Sequence, residues 1–276
     1  MIEIRPIWKP TVPEQLSLRP QVAALLSVEQ RIVSASNVYL SLARIAVDEE
    51  YVDDLTSLMR SALNDLIAGC EMARTGYVKQ AYSLWRSWFE QSIFFLFFLE
   101  APLHKAAWKV KAEISQDDNP QYRLMLHQLL TDSGERHPFT LVYDARFSRL
   151  IEALKISAVP KAQRPIQRAV RVLTTLSQGV HGTYQPQSAQ DMDGICAQLD
   201  AHCKPVLTTA EEILNTFWVL LFTDLVALPE NVLIQLRQGQ VSVSDLRDAG
   251  VDEVDQVAAL APYFALAFSS PHLKNG

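Results

Sequence analysis

The segment of residues 78–100, VKQAYSLWRSWFEQSIFFLFFLE, decides the fold of this chain. No glycine or proline interrupts it, and its apolar side chains cover almost the whole circumference of an α-helix. A helix of this kind lies in the interior of a protein or in a membrane. The continuous apolar run within it is much shorter than the ~20 residues that a bilayer span needs. We therefore expect a central bundle helix here, with residues 85–99 buried.

The flanking sequence predicts further helices around this central one. Apolar residues recur every three or four positions over residues 22–47 and 52–74, and Gly76 is a plausible stop signal. Later helices are expected over residues 139–156, from about 160 to Gly179 or Gly182, and over 192–228 with a break near Pro205. Only nine glycines occur in 276 residues, and alternating strand patterns are scarce. The predicted fold class is all-α, a helical bundle with a small helical C-terminal region.

The chain divides into three predicted parts. Residues 1–20 contain four prolines and predict an irregular N-terminal arm, and residues 21–228 form the bundle. Residues 229–276 predict a small acidic appendage of short helices, which resembles a helix-turn-helix array in outline. However, residues 241–260 hold five carboxylates against the single Arg247. Because an acidic surface repels phosphate, we expect this part to contact a protein rather than DNA.

The composition and the charge restrict the classes of protein to which this chain can belong. The net charge is −6 and no block of Lys and Arg occurs, although Arg164, Arg168 and Arg171 recur at helical spacing and leave a local basic face open. Three cysteines and an N-terminus unlike a signal peptide indicate the cytoplasm. Polar residues interrupt the apolar stretch 213–228, so no membrane association is expected. Glycine-rich phosphate loops are absent, and no cofactor is predicted.

Arg86 and Glu90 form the first candidate site. Their spacing of four places both side chains on one face of the central helix, where they can pair. The surrounding aromatic residues leave little room for solvent, and a buried ion pair costs desolvation energy and seldom serves stability alone. Two interpretations stay open: a polar pocket inside the bundle, or a half-exposed structural salt bridge beside an aromatic core.

Ser177 and His181 form the second candidate site, followed closely by Tyr184. His181 stands where a helix is expected to end, and the helix dipole there favours the charged imidazole. It is either a general base or a residue that caps the last carbonyls. A serine hydrolase would also need an orienting group and an oxyanion hole, which the sequence does not show.

A metal site is not expected. Acidic, histidine and cysteine residues cluster within residues 191–203, and Cys196 and Cys203 share a helix face. However, the chain contains no CxxC, no HExxH and no carboxylate-x-x-His pair of the di-iron type. A solvated helix with two half-buried thiols accounts for the cluster.

Two patterns resemble known families. Residues 73–90, ARTGYVKQAYSLWRSWFE, and residues 176–182, LSQGVHG, are similar to poorly characterised bacterial all-helical families that resemble the HEPN superfamily. The resemblance covers roughly residues 50–185, and it implies a dimeric helical bundle encoded with toxin–antitoxin or phage-defence systems. Active ribonucleases of that superfamily carry an Arg, four to six intervening residues and a His. Arg123 and His127 are too close for this motif, and Arg171 precedes His181 by ten positions.

These observations lead to two functional expectations. The first is a bacterial binding or regulatory module, a component of a phage-defence or toxin–antitoxin type system. The alternative is a HEPN-like ribonuclease or nucleotide-modifying toxin in which His181 acts as base and Arg86 as phosphate clamp, with Glu90, Ser177 and Tyr184 in binding roles. RNA is a partner only in this alternative. The composite site requires Arg86, Glu90 and His181 to lie close together in the fold.

Self-association is also expected. The apolar stretch of residues 263–268 follows a bundle that already has a complete core, and such a surplus apolar surface favours a two-fold homodimer. A protein partner for the acidic appendage remains the other expected contact.

Overall fold

A computed structural model describes most of the predicted bundle and little of the two termini. The described residues are 18–47, 49–103, 138–154, 159–180, 191–225 and 230–238, with the separate residues 16, 105, 106, 242, 244, 247, 258 and 262. In these parts of the chain the regular structure is helical, without a strand. The prediction of an all-α helical bundle is thereby confirmed.

The main α-helices follow the predicted order closely. They are α1 (Pro20–Ala46), α2 (Glu49–Arg74), α3 (Val78–Glu100), α4 (Pro138–Ala153), α5 (Pro165–Val180), α6 (Met192–Gln198), α7 (Lys204–Leu225) and α8 (Glu230–Gln238). A short 3-10 turn, Lys161–Gln163, precedes α5. None of the helices in the described part of the chain is long and apolar enough to cross a bilayer.

A tight turn at Gly76 joins α2 to α3 and allows them to pack side by side. Gly76 has φ 86°, a left-handed conformation that glycine adopts at little cost. The amide of Tyr77 donates to the carbonyl of Met72, and the amide of Gly76 donates to that of Ala73. These two bonds form a Schellman motif, which ends α2 as the sequence predicts.

Helix α3 lies at the centre of the bundle. It packs most extensively against α2 and next against α5, and it also contacts α7. Within residues 85–99, which were predicted to be buried, every residue is buried except 86, 87 and 91, which are partly exposed. Residues 213–221 of α7 form a second run without an exposed member. The two helices meet through aromatic rings: Trp218 of α7 lies 5.6 Å from Phe95 and stacks on Tyr39 of α1 at 4.6 Å.

The helical stretch predicted over residues 192–228, with a break near Pro205, is divided in the structure. A π-helical turn, Leu199–Cys203, separates α6 from α7, and α7 ends at Leu225. The amide of Lys204 donates to the carbonyl of Leu199, five residues back. Pro205 explains this widening, because a proline has no amide hydrogen and its ring clashes with the carbonyl four residues earlier. The break was predicted near Pro205, and its π geometry was not.

Candidate functional site

Arg86 and Glu90 form a nearly buried ion pair within α3. The Arg86 Nε lies 2.7 Å from Glu90 Oε1, and the two side chains are 15% and 10% exposed. The predicted pairing on one helix face is therefore present, with less solvent around it than a half-exposed surface bridge would have. Because Glu90 compensates the charge of Arg86, this guanidinium is not a free cation.

The last turn of α5 packs against the first two turns of α3. A Cβ atom built on Gly179 would lie 2.6 Å from the Cβ of Tyr82 and 2.9 Å from the carbonyl oxygen of Lys79. The two backbones can approach this closely because Gly179 has no side chain. Tyr82 precedes Arg86 by about one helical turn, so the last turn of α5 contacts α3 about one turn before the ion pair.

Of the other residues predicted for the composite site, the structure describes Ser177 but not His181 or Tyr184. Ser177 lies in the last turn of α5, and its hydroxyl donates to the carbonyl of Leu173 at 2.6 Å, which commits its hydrogen to its own helix. His181 and Tyr184 lie outside the described residues. Their proximity to Arg86 and Glu90 therefore stays a prediction.

A groove of about 460 Å³ lies between α5 and the start of α7, and we call it the α5–α7 groove. Its walls combine cationic, hydroxyl, amide and apolar side chains, and none of the lining residues is acidic. The lining comprises Tyr82, Gln163, Arg168, Arg171, Val172, Thr175, Ala201, His202, Pro205, Val206 and Thr209. Such a volume is in the range of pockets that hold small molecules.

The two arginines of the groove differ in their availability. Arg168 pairs with Glu212 at 2.5 Å, and the two side chains are 12% and 18% exposed, so its charge is compensated. Arg171 is exposed, and its guanidinium makes no hydrogen bond or ion pair with any residue in the described part of the chain. Arg171 therefore supplies the uncompensated positive charge of the α5–α7 groove.

The opposite wall of the groove is shaped by the π-turn. The turn contributes Ala201 and His202 to the lining, and the Tyr82 hydroxyl donates to the backbone carbonyl of His202 at 3.2 Å. This bond connects α3 to the π-turn. Single π-turns inside helices occur frequently at functional sites, because they displace backbone and side chains from the regular helical surface.

Sequence reasoning found one wall of this groove and missed the other. The helical spacing of Arg168 and Arg171 indicated a basic face, and both arginines line the groove. In the sequence, His202 stands out only as a member of the cluster of potential metal ligands within residues 191–203. Pro205 predicted an irregular turn before it, but the position of that turn opposite Arg171 depends on how α5 and α7 pack and has no local signal.

The cysteines and the acidic cluster offer no metal centre in the part of the chain that the structure describes. No group of three or more His, Cys, Asp or Glu side chains there is placed to hold a metal ion. Cys70, Cys196 and Cys203 are buried free thiols. Burial raises the pKa of the Cys203 thiol to about 12, so this thiol stays protonated and unreactive near neutral pH.

Comparison with known proteins adds no relative. No protein-family model, no curated protein and no solved structure matches the chain. The functional argument therefore rests on the geometry above.

Proposed function

We propose that this chain is a helical binding or regulatory module that takes a small anionic ligand in the α5–α7 groove. The observation that carries the proposal is Arg171, an exposed guanidinium without a partner among the described residues, in a groove without an acidic lining residue. An arginine in this situation can bind a carboxylate or phosphate through two parallel hydrogen bonds.

The remaining lining suits the rest of such a ligand. Thr175 offers a hydroxyl group and Gln163 offers an amide, whereas the Thr209 hydroxyl on the opposite wall donates to the carbonyl of Pro205 at 2.9 Å. Val172 and Val206 provide apolar surface against which the body of an organic molecule can pack. A pocket with mostly apolar contacts and a few converging polar groups is the usual form of a small-molecule site. The attraction is local, since the chain as a whole carries a net charge of −6.

Binding is favoured over catalysis by the way the charged groups are paired. Glu90 compensates Arg86, Glu212 compensates Arg168, and the Ser177 hydroxyl donates to a backbone carbonyl. A catalytic arginine must be able to transfer its hydrogen bonds to charge that develops in the transition state. Arg86 and Arg168 would first have to break their ion pairs with carboxylates.

The biological setting and the assembly state are further parts of the proposal. A role in a bacterial phage-defence or toxin–antitoxin type system, in the cytoplasm, is supported by the resemblance of residues 73–90 and 176–182 to HEPN-like families. Homodimerisation is supported by the apolar sequence of residues 263–268. A protein partner is supported by the acidic sequence of residues 241–260.

Isothermal titration calorimetry tests the anion site. The ligands are inorganic phosphate, citrate and phosphoenolpyruvate, with glycerol as the neutral control. We expect at least one anion to bind, more weakly at high salt, and to lose at least tenfold in affinity with Arg171→Glu. Arg60→Glu is the matched control, because Arg60 is an exposed arginine on α2, away from the groove lining. No binding by any anion, or equal binding by Arg171→Glu, would refute the groove as an anion site.

The second candidate function is a metal-independent ribonuclease that uses His181 as base and Arg86 as clamp. The close approach of Gly179 to Tyr82 favours it, because this contact holds the end of α5 on the helix that carries Arg86. Any such activity should need a second chain, since Arg86 is already paired within this one. The test compares cleavage of single-stranded RNA by the wild type, His181→Ala and Arg86→Ala. Robust cleavage by the pure protein that His181→Ala abolishes would replace our proposal with this one.

A further inference from the structure

A second, much smaller cavity lies inside the bundle, between α1, α3 and α7. It has a volume of about 10 Å³, and we call it the core pocket. Half of its lining is polar although the pocket is surrounded by the hydrophobic core. The polar lining residues are Ser36 and Tyr39 of α1, Ser92 of α3, and Glu211 and Asn215 of α7.

Asn215 brings an unmet hydrogen-bond donor to this pocket. The residue is only 2% exposed, and its Oδ1 accepts a hydrogen bond from the Tyr39 hydroxyl at 3.0 Å. Its Nδ2 is fully buried and has no acceptor within hydrogen-bond range. A buried donor without a partner is costly, so native proteins satisfy nearly all of them.

The other polar groups of the core pocket are acceptors. The Ser36 hydroxyl donates to the carbonyl of Ile32, and the Ser92 hydroxyl donates to that of Trp88, both at 2.8 Å. Their hydrogens are thus used within their own helices, while oxygen lone pairs remain. The Glu211 carboxylate accepts two bonds from Arg31, at 3.0 and 2.7 Å, and retains further lone pairs.

We propose that the core pocket binds one ordered water molecule that accepts a hydrogen bond from Asn215 Nδ2. The water donates its two hydrogens to acceptors of the lining: at least one is the Ser36 or Ser92 hydroxyl, and the other is the second serine or the Glu211 carboxylate. A volume of ~10–15 Å³ on this measure is the smallest that holds a water, and two to four polar partners are what a buried water needs. The donor on Asn215 disfavours a cation, which would require acceptors on every side.

The bound water links three helices. It connects α7, through Asn215, to the serines of α1 and α3, and it supplements the ion pair between Arg31 and Glu211. Helix α7 also contributes Pro205, Val206 and Thr209 to the α5–α7 groove, all within two turns of Glu211. The water therefore helps to hold one wall of the groove in place. This inference is independent of whether the groove binds an anion.

A high-resolution crystal structure of the full chain is the direct test. We expect a spherical density peak about 2.7–3.2 Å from Asn215 Nδ2 and from at least one lining oxygen. An empty core pocket, or an acceptor side chain moved into direct contact with Nδ2, would overturn the proposal. A peak surrounded by oxygens at about 2.3–2.6 Å would replace the water with a cation.

Alanine variants provide a test in solution. Removal of an acceptor by Ser36→Ala or Ser92→Ala should increase the equilibrium constant for unfolding about fivefold in at least one of the two variants. The matched control is Ser41→Ala, because the Ser41 hydroxyl makes the same bond to a carbonyl four residues back on the exposed face of α1. That variant should change the constant less than twofold. If both buried serine variants are as stable as the control, the pocket is dry and the proposal is wrong.

Discussion

Replacing Gly179 with alanine should destabilise the bundle, although alanine is the better helix former. Gly179 lies where α5 contacts α3, and an added Cβ would meet Tyr82 Cβ at 2.6 Å and the Lys79 carbonyl oxygen at 2.9 Å. Neither atom belongs to the free end of a flexible side chain. The two helices must therefore move apart to accommodate the methyl group.

The size of the expected loss in the free energy of unfolding follows from the geometry of this contact. Carbon atoms pack at ~3.5–4.0 Å, so the separation at Tyr82 is about 1 Å too short. Overpacking of a well-packed core costs about 1–3 kcal/mol, and a contact with main-chain and Cβ atoms belongs at the upper end of that range. The higher helix propensity of alanine returns about 1 kcal/mol. We expect a net loss of about 2 kcal/mol in the free energy of unfolding.

Urea unfolding followed by far-ultraviolet circular dichroism measures this loss. Thr174→Ala is the control, because Thr174 is exposed on the same helix and its hydroxyl donates only to the carbonyl of Val170. It should change the free energy of unfolding by less than about 0.5 kcal/mol. A Gly179→Ala protein as stable as the wild type would show that α5 and α3 do not approach as closely as the structure places them.

Three further predictions concern charge and assembly. Burial raises the pKa of Glu211 despite Arg31, so its carboxyl group favours folding most at low pH, where it is protonated, and this contribution is lost as the pH rises through the folded pKa. The stability of Glu211→Gln relative to wild type should thus increase as the pH rises from about 4 through the folded pKa of Glu211, and a flat or falling difference in urea titrations would contradict this. Arg86→Met leaves Glu90 without its guanidinium and should cost at least about 2 kcal/mol, whereas a loss below 0.5 kcal/mol would indicate a solvated pair. Light scattering should give twice the chain mass of 31.0 kDa, because we expect a homodimer that forms through residues 263–268. A monomeric mass at micromolar concentration would refute the dimer.

The pairing of α2 with α3 was predictable because the residues that determine it lie close together in the sequence. The aromatic run of α3 and the stop at Gly76 lie next to each other in the sequence, and the structure has α3 at Val78–Glu100 as expected. The Arg86–Glu90 pair was predictable for the same reason, since a spacing of four is an intrahelical neighbourhood. The extent of its burial was not, because burial depends on which helices cover α3.

The core pocket and the α5–α7 groove depend on contacts distant in sequence. Asn215 looked like an interruption of the apolar stretch 213–228, and nothing in the sequence singled out Glu211. Their partners Tyr39 and Arg31 precede them by 176 and 180 residues. Periodicity cannot reveal such a pairing. In the same way, the spacing of the α5 arginines indicated a basic face, but no local pattern indicated that the π-turn lies opposite Arg171.

Hydrogen–deuterium exchange with mass spectrometry tests the central claim, that the α5–α7 groove is the ligand site, most directly. The wild-type protein is compared with and without whichever anion of the calorimetric panel binds most tightly. Ligand binding slows exchange where it suppresses local opening. We predict slower exchange in residues 168–175 and 199–209, and no such change in Arg171→Glu. Protection confined to residues 86–90 of α3, or no protection in either groove wall, would contradict the account.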